Sequence, residues 1–195
     1  VFHAQQRERA TVGKINQSIM ATAPHQQARI GRQGVLPYVL LAVTDDPDAQ
    51  RAGACAAFTG APTSPGLPAS EGAADRRLNI AYLSSDFRDH ATAFLIARML
   101  ELHDRSRFQV FAYSYGGGGD TPMRSRIERG VDVFLDVRER DDGAIARDMR
   151  SRGIDIAIDL AGYTAGSRAG IFAARAAPLQ VGYLGFGGTM GAAFI

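Results

Sequence analysis

Residues 84–92, SSDFRDHAT, hold the richest chemistry in the chain. Two carboxylates, Asp86 and Asp89, flank His90. An imidazole beside carboxylates can be held in one tautomer and tuned towards neutral pH. So placed, it could bind or deprotonate a hydroxyl. The same residues also suit a helix start, with Asp89 as its cap and His90 as an incidental first-turn residue. The pattern alone leaves both readings open.

Two more segments carry polar groups at useful places. In DLAGYTAGSR, residues 159–168, Asp159 falls at a strand end, and Tyr163, Thr164 and Arg168 offer hydroxyl and guanidinium donors. A carboxylate there suits a ligand contact or an ordinary cap. In LGFGGTMG, residues 184–191, the glycines let backbone N–H groups approach a ligand closely. That segment imitates a dinucleotide fingerprint, but the helix and acid that would support it lie beyond the chain. A tight turn explains it equally well. The GGGG run at 116–119 lacks the Lys and Ser/Thr of a phosphate loop and reads as a flexible connection. Asp46-Pro47-Asp48 resembles a metal pair, yet its place at a helix start makes it a cap. No group of His, Cys or acids has metal-ligand spacing, so no metal is expected. Cys55, in an Ala-rich helix, reads as a small core residue, and His3, His25 and His103 as structural or exposed.

The elements that must position these groups alternate along the second half of the chain. LNIAYL (78–83), FQVFAYS (108–114), VDVFLDV (131–137), IDIAIDL (154–160) and LQVGYLG (179–185) are short apolar runs that read as strands. Helices are expected over 92–103, from Pro122 to about Arg129, over 141–152 with Gly153 closing it, and over 169–175. In the first, Phe94, Leu95, Met99, Leu100 and Leu102 fall mostly on one side. Strand–helix alternation with short loops implies an α/β, Rossmann-like parallel sheet with helices on both faces. Runs such as IDIAID and LQVGYL suit strands buried on both sides. Ligands of such sheets sit beyond the carboxyl ends of the strands. That rule singles out the loops 84–92, 114–121, 160–168 and 185–191.

A short helical segment precedes the sheet. Ala10 to Arg32 is helix-compatible with weak periodicity, and VLPYVLLAV (35–43) is an apolar run. Asp46 and Pro47 then open a helix to about Phe58. Residues 59–75, rich in Pro, Gly, Ser and Ala, read as a linker. The expected divisions are therefore 1–58, 59–75 and a lobe over 76–195.

The 195 residues suit one compact α/β domain with attached structure. Basic and acidic residues, 22 and 20, are intermixed, and nearly all the positive charge is Arg. No arginine stripe interleaves with aromatics, so no nucleic acid is expected as a partner. No window approaches the ~18 apolar residues that span a bilayer, so no membrane is expected either. The single cysteine excludes an internal disulfide and suits a reducing compartment, read here as cytoplasmic. The Val start and the end on Phe194-Ile195 suggest a piece of a longer protein.

Taken together and in order, RLNIAYLSSDFRDHATAFLI, HDRSRFQVFAYSYG and RGIDIAIDLAGYTAGSRAGIFAARAAPLQVGYLGFGGTMGAAFI resemble the first half of the catalytic region of O-linked N-acetylglucosamine transferases, including bacterial and Spindly-type members. The likeness runs from about Leu36 to Ile195. It implies the N-terminal lobe of a two-lobed GT-B glycosyltransferase, behind tetratricopeptide repeats and without its C-terminal lobe. It implies transfer of N-acetylglucosamine from UDP-GlcNAc to Ser or Thr of a protein acceptor, with no metal or other cofactor. His90 and Asp86 match the family's active-site loop. Asp89 stands where the family often has Asn, and Thr92 matches its Thr. Leu184, Gly185, Gly188 and Thr189 match the loop lining the donor and acceptor cleft. With Asp159, Tyr163 and Arg168 these form the candidate substrate contacts. The sequence departs from the family at Ala91 and Gly187, where Pro is usual, and at Ala165, where Lys is common. Alternatives are a GDP-fucose donor, a non-catalytic lobe that binds a peptide or partner domain, and, more remotely, a dinucleotide-dependent oxidoreductase.

Overall fold

A computed structural model describes residues 37–58 and 76–195. The expectations for Ala10 to Arg32 and for the linker 59–75 lie outside the described residues. Two compact units are present. Residues 37–58 group with Gly187–Ala192, and residues 76–186 group with Ala193–Ile195.

In the first unit the apolar run after Val35 forms helix α1, Pro37–Val43, with Leu40 and Val43 buried. Helix α2, Pro47–Ala57, starts where its cap and proline place it. Asp46 Oδ1 accepts from the N–H groups of Asp48 at 2.9 Å and Ala49 at 3.4 Å, satisfying two donors that an unfinished helix leaves open. Cys55 is exposed rather than in the core. The buried residues of α2 are Gly53 and Ala54, so the thiol lies off the contact side and donates to the Gly191 carbonyl at 3.1 Å.

The second unit is a five-stranded parallel sheet. Its strands are β1 (Leu78–Ser84), β2 (Phe108–Ser114), β3 (Val133–Asp136), β4 (Ile156–Asp159) and β5 (Leu179–Gly182), in the order β3-β2-β1-β4-β5. β1 pairs with β2 from Leu78–Phe108 to Ser84–Ser114, and with β4 from Ile80–Ile156 to Leu83–Asp159. The helices are α3 (Ala91–Leu102), α4 (Pro122–Gly130), α5 (Asp142–Ser151) and α6 (Ala169–Ala173). Side chains alternate across the sheet. Ile80, Tyr82, Val110 and Ala112 pack with Ala93, Ile96, Ala97 and Leu100 of α3 and with Met123 and Ile127 of α4. The alternate residues lie on the opposite face. There Tyr113 donates to Asp148 of α5 at 2.9 Å, and Gln180 Nε2 donates to the carbonyls of Phe172 at 2.9 Å and Phe194 at 2.6 Å.

Two further expectations are corrected. The packed face of α3 is Ala93, Ile96, Ala97 and Leu100, while Phe94, Leu95 and Leu102 are 60%, 67% and 64% exposed. The buried set has the spacing i, i+3, i+4, i+7 of one helical face. Two of its members are alanines, which let the helix lie close on the sheet and force the larger side chains outward. β5 is also not buried on both sides. It is the sheet edge, and Leu179, Val181 and Tyr183 are exposed.

Candidate functional site

All five strands run the same way, so the loops singled out by the ligand rule leave one edge of the sheet. Those after β1 and β2 interlock. The Tyr115 N–H donates to the Ser84 carbonyl at 3.1 Å, and a Cβ on Gly116 would meet the Ser85 oxygen at 1.9 Å. The loops after β4 and β5 interlock as well. Tyr183 N–H donates to the Asp159 carbonyl at 2.9 Å, and a Cβ on Gly185 would lie 1.7 Å from the Leu160 oxygen. Glycine is required there by close approach of backbone to backbone. The Tyr163 and Phe186 rings meet edge to face at 5.8 Å.

His90 is itself the N-cap of α3, in extended backbone at φ −149 and ψ 151. Its Nδ1 accepts from the Thr92 N–H at 3.3 Å. A neutral imidazole accepting at Nδ1 carries its proton on Nε2. Capping and chemistry are therefore compatible: Nδ1 is used by the helix, while the side chain is 39% exposed. Asp86 Oδ2 lies 3.7 Å from Nδ1, beyond hydrogen-bond length. Asp86 Oδ1 accepts from Arg88 Nη2 at 3.0 Å, and its N–H donates to Ser84 Oγ at 2.9 Å, which closes the turn. Asp89 does not cap its own helix. Its Oδ1 accepts from the Met123 N–H at 3.1 Å and so ties the His90 turn to the start of α4. Thr92 is buried.

The remaining candidates divide by depth. Asp159 is 2% exposed and sits beneath the loops rather than on their surface. Its Oδ1 accepts from Ala161 N–H at 2.9 Å. Burial pushes its pKa up, against the pull of the Ala161 and Gly162 N–H groups. Arg168 acts as a strut. Its Nε donates to Asp142 Oδ1 at 2.7 Å and its Nη2 to the Arg140 carbonyl at 2.7 Å. Tyr163 is half-buried at the Phe186 contact. Leu184 has φ +69, a left-handed backbone that branched residues adopt only under constraint, and its side chain is exposed. Thus Asp86, His90, Tyr163, Leu184 and Gly185 belong to the loops of one edge. Gly188 and Thr189 belong to the other unit, where Thr189 Oγ1 accepts from Gly191 N–H at 3.1 Å. Sequence reasoning missed Ser85 and Tyr115, just past β1 and β2, whose hydroxyl oxygens are buried. Burial, then Asp159 and Asp86, push the Tyr115 phenol above its usual range, and Arg168 opposes them. Only the register shows that they join Asp159.

The family model for glycosyl transferase family 41 matches residues 66–195. The chain belongs to glycosyl transferase family 41. Within that family it is 41% identical over 130 residues to the SEC protein of Arabidopsis thaliana, a probable UDP-N-acetylglucosamine–peptide N-acetylglucosaminyltransferase, covering 67% of this chain and 13% of that protein. A UDP-N-acetylglucosamine–peptide N-acetylglucosaminyltransferase of Caenorhabditis elegans is 40% identical over 121 residues, 62% of this chain and 10% of that protein. Among solved structures, an O-GlcNAc transferase mutant from Thermobaculum terrenum superposes with a TM-score of 0.74 at 30% identity, covering 81% of this chain and 31% of that one. The chain thus spans about an eighth of the Arabidopsis relative and under a third of the solved chain. The resemblance to O-linked N-acetylglucosamine transferases and the parallel α/β fold expected from the sequence both hold. Among the described residues no group of three or more His, Cys, Asp and Glu could hold a metal ion, and no helix is long and apolar enough to cross a membrane.

Proposed function

We propose that this chain is the N-terminal lobe of a protein O-glycosyltransferase that moves N-acetylglucosamine from UDP-GlcNAc to a Ser or Thr hydroxyl. The observation that supports it most is the gathering of the His90 turn and the Leu184-Gly185 turn at one edge of a family 41 sheet. In this reading the acceptor hydroxyl attacks the anomeric carbon, the bond from that carbon to the UDP oxygen breaks, the hydroxyl proton passes to the departing phosphate, and configuration inverts. The lobe contributes mainly by orienting the two reactants. His90, with its proton on Nε2, donates a hydrogen bond that orients the acceptor or sugar oxygen. Asp86, held by Arg88, fixes the turn. Backbone at Leu184 and Gly185 borders the sugar, and most of the leaving-group charge falls to a second lobe.

The test is a transfer assay on the polypeptide that joins this lobe to a second one, with a Ser/Thr peptide and either UDP-GlcNAc or GDP-fucose. Transfer from UDP-GlcNAc is expected. His90→Ala should reduce it by about 100-fold or more, the scale of one positioned hydrogen bond or proton-transfer group, at nearly unchanged thermal stability. The isolated lobe should not turn over. Turnover with GDP-fucose alone would reassign the donor, and a fully active His90→Ala variant would remove His90 from the site.

A further inference from the structure

Three polar side-chain atoms beneath the His90 turn, on Ser85, Tyr115 and Asp159, are used by neither the fold's hydrogen bonds nor the proposed chemistry. Ser85, Tyr115 and Asp159 stand at the carboxyl ends of the neighbouring strands β1, β2 and β4. Ser84 pairs with Ser114, so Ser85 and Tyr115 follow side by side, and Asp159 pairs with Leu83. Strand alternation, carried one residue past the ends of β1 and β2, puts all three side chains on the face covered by α5 and α6. In keeping with that placement, Asp159 is the charge that most raises the Tyr115 phenol.

Ser85 Oγ, Tyr115 OH and Asp159 Oδ2 are each buried and, among the described residues, make no hydrogen bond. Asp159 and Tyr115 are 2% and 7% exposed, so bulk solvent does not satisfy them. Buried polar groups left unpaired are rare and costly, and proteins resolve them with ordered internal water that makes about three hydrogen bonds. The group here matches that requirement. A water can donate to the Asp159 oxygen and to one hydroxyl while accepting from the other. We infer that Ser85, Tyr115 and Asp159 form an internal site for one water molecule, which ties the ends of β2, β1 and β4 together under the His90 turn. The site follows from register and burial alone, whether or not the lobe serves a transferase.

A high-resolution crystal structure of this chain tests it directly. A solvent peak about 2.7–3.2 Å from all three atoms is expected. A dry site, or the three atoms paired with protein groups, overturns it. Thermal unfolding of Ser85→Ala, Tyr115→Phe and the double variant tests it in solution. Each single variant should lower Tm by about 2–6 °C, and the double should lose clearly less than the sum, since the first substitution already loosens the shared water. Strict additivity overturns the proposal. Should the variants not fold, water-to-amide NMR cross-peaks are expected at Ser85, Tyr115 and Ala161 of the unaltered chain, and their absence overturns the proposal in turn.

Discussion

Replacing Gly185 by alanine is the sharpest test of how the candidate site is assembled. The new Cβ would lie 1.7 Å from the Leu160 carbonyl oxygen, 2.7 Å from its carbon and 3.2 Å from Ala161 Cα. Comfortable separation is roughly 3.5 Å, so something must move by about 1.5 Å or more. Leu160 cannot give. It is 1% exposed, and its N–H is bonded to the Leu83 carbonyl at 3.1 Å. The loop after β5 has little slack, because Gly185 N–H is bonded to the Tyr183 carbonyl at 2.9 Å and Leu184 already sits at φ +69. Overpacking of this kind costs about 1–3 kcal/mol. For a chain of this size that is a fall in Tm of about 3–10 °C. Gly187→Ala is the control, since nothing lies within 4 Å of the added atom. It should stay within about 0.5 kcal/mol of the parent. Circular dichroism melts of the three proteins decide the matter. A Gly185→Ala melt that coincides with those of the parent and of Gly187→Ala would refute the close packing of the two loops.

Three more outcomes follow from the structure. Nitrogen-15 NMR of the neutral protein should show His90 protonated on Nε2, and a proton on Nδ1 would mean that the Thr92 cap bond does not form. Asp89→Ala should lose about 0.5–1.5 kcal/mol with the bond to Met123 N–H, whereas Asp89→Asn, which keeps the accepting oxygen, should melt near the parent; equal melts for the two would sink the cross-loop tether. Burial, with Arg105 second, lowers the His103 pKa, so the stability of its neutral form is complete above about pH 6.5 and drains away as pH falls below that value. Burial pushes the Tyr82 phenol up to about 12, so its contribution holds below about pH 10 and is lost between pH 10 and 12. Tyr82 OH and His103 Nε2 are 2.7 Å apart, and denaturant midpoints across both windows should flatten in Tyr82→Phe at the alkaline end and in His103→Gln at the acid end.

The sheet is legible in the sequence because its central strands are buried on both faces and therefore read as unbroken apolar runs between short loops. Helix starts are legible where local chemistry decides them, as at Asp46-Pro47 and Thr121-Pro122. The α3 face is misread when side-chain size is followed instead of spacing, since the alanines that make the contact carry little hydrophobic weight. β5 is misread because LQVGYL has the same composition in the middle of a sheet as at its margin; only the neighbour on the far side differs. In the candidate site, the turn holding Asp86 and His90 can be singled out from residue types. The use of Asp89 cannot, since it bonds to a helix 34 residues away. Nor can the Ser85, Tyr115 and Asp159 group, which exists only once three strands are placed in register.

The margin at β5 also bears on how this lobe must be handled. Edge strands are usually guarded by lysines, prolines or a bulge that spoil pairing with another molecule. Leu179, Gln180, Val181, Gly182 and Tyr183 supply none of these guards, and three of them show apolar surface to solvent. Such a ribbon is a template for sticking chains together, so a polypeptide that contains it must shield that side or risk clumping while it folds.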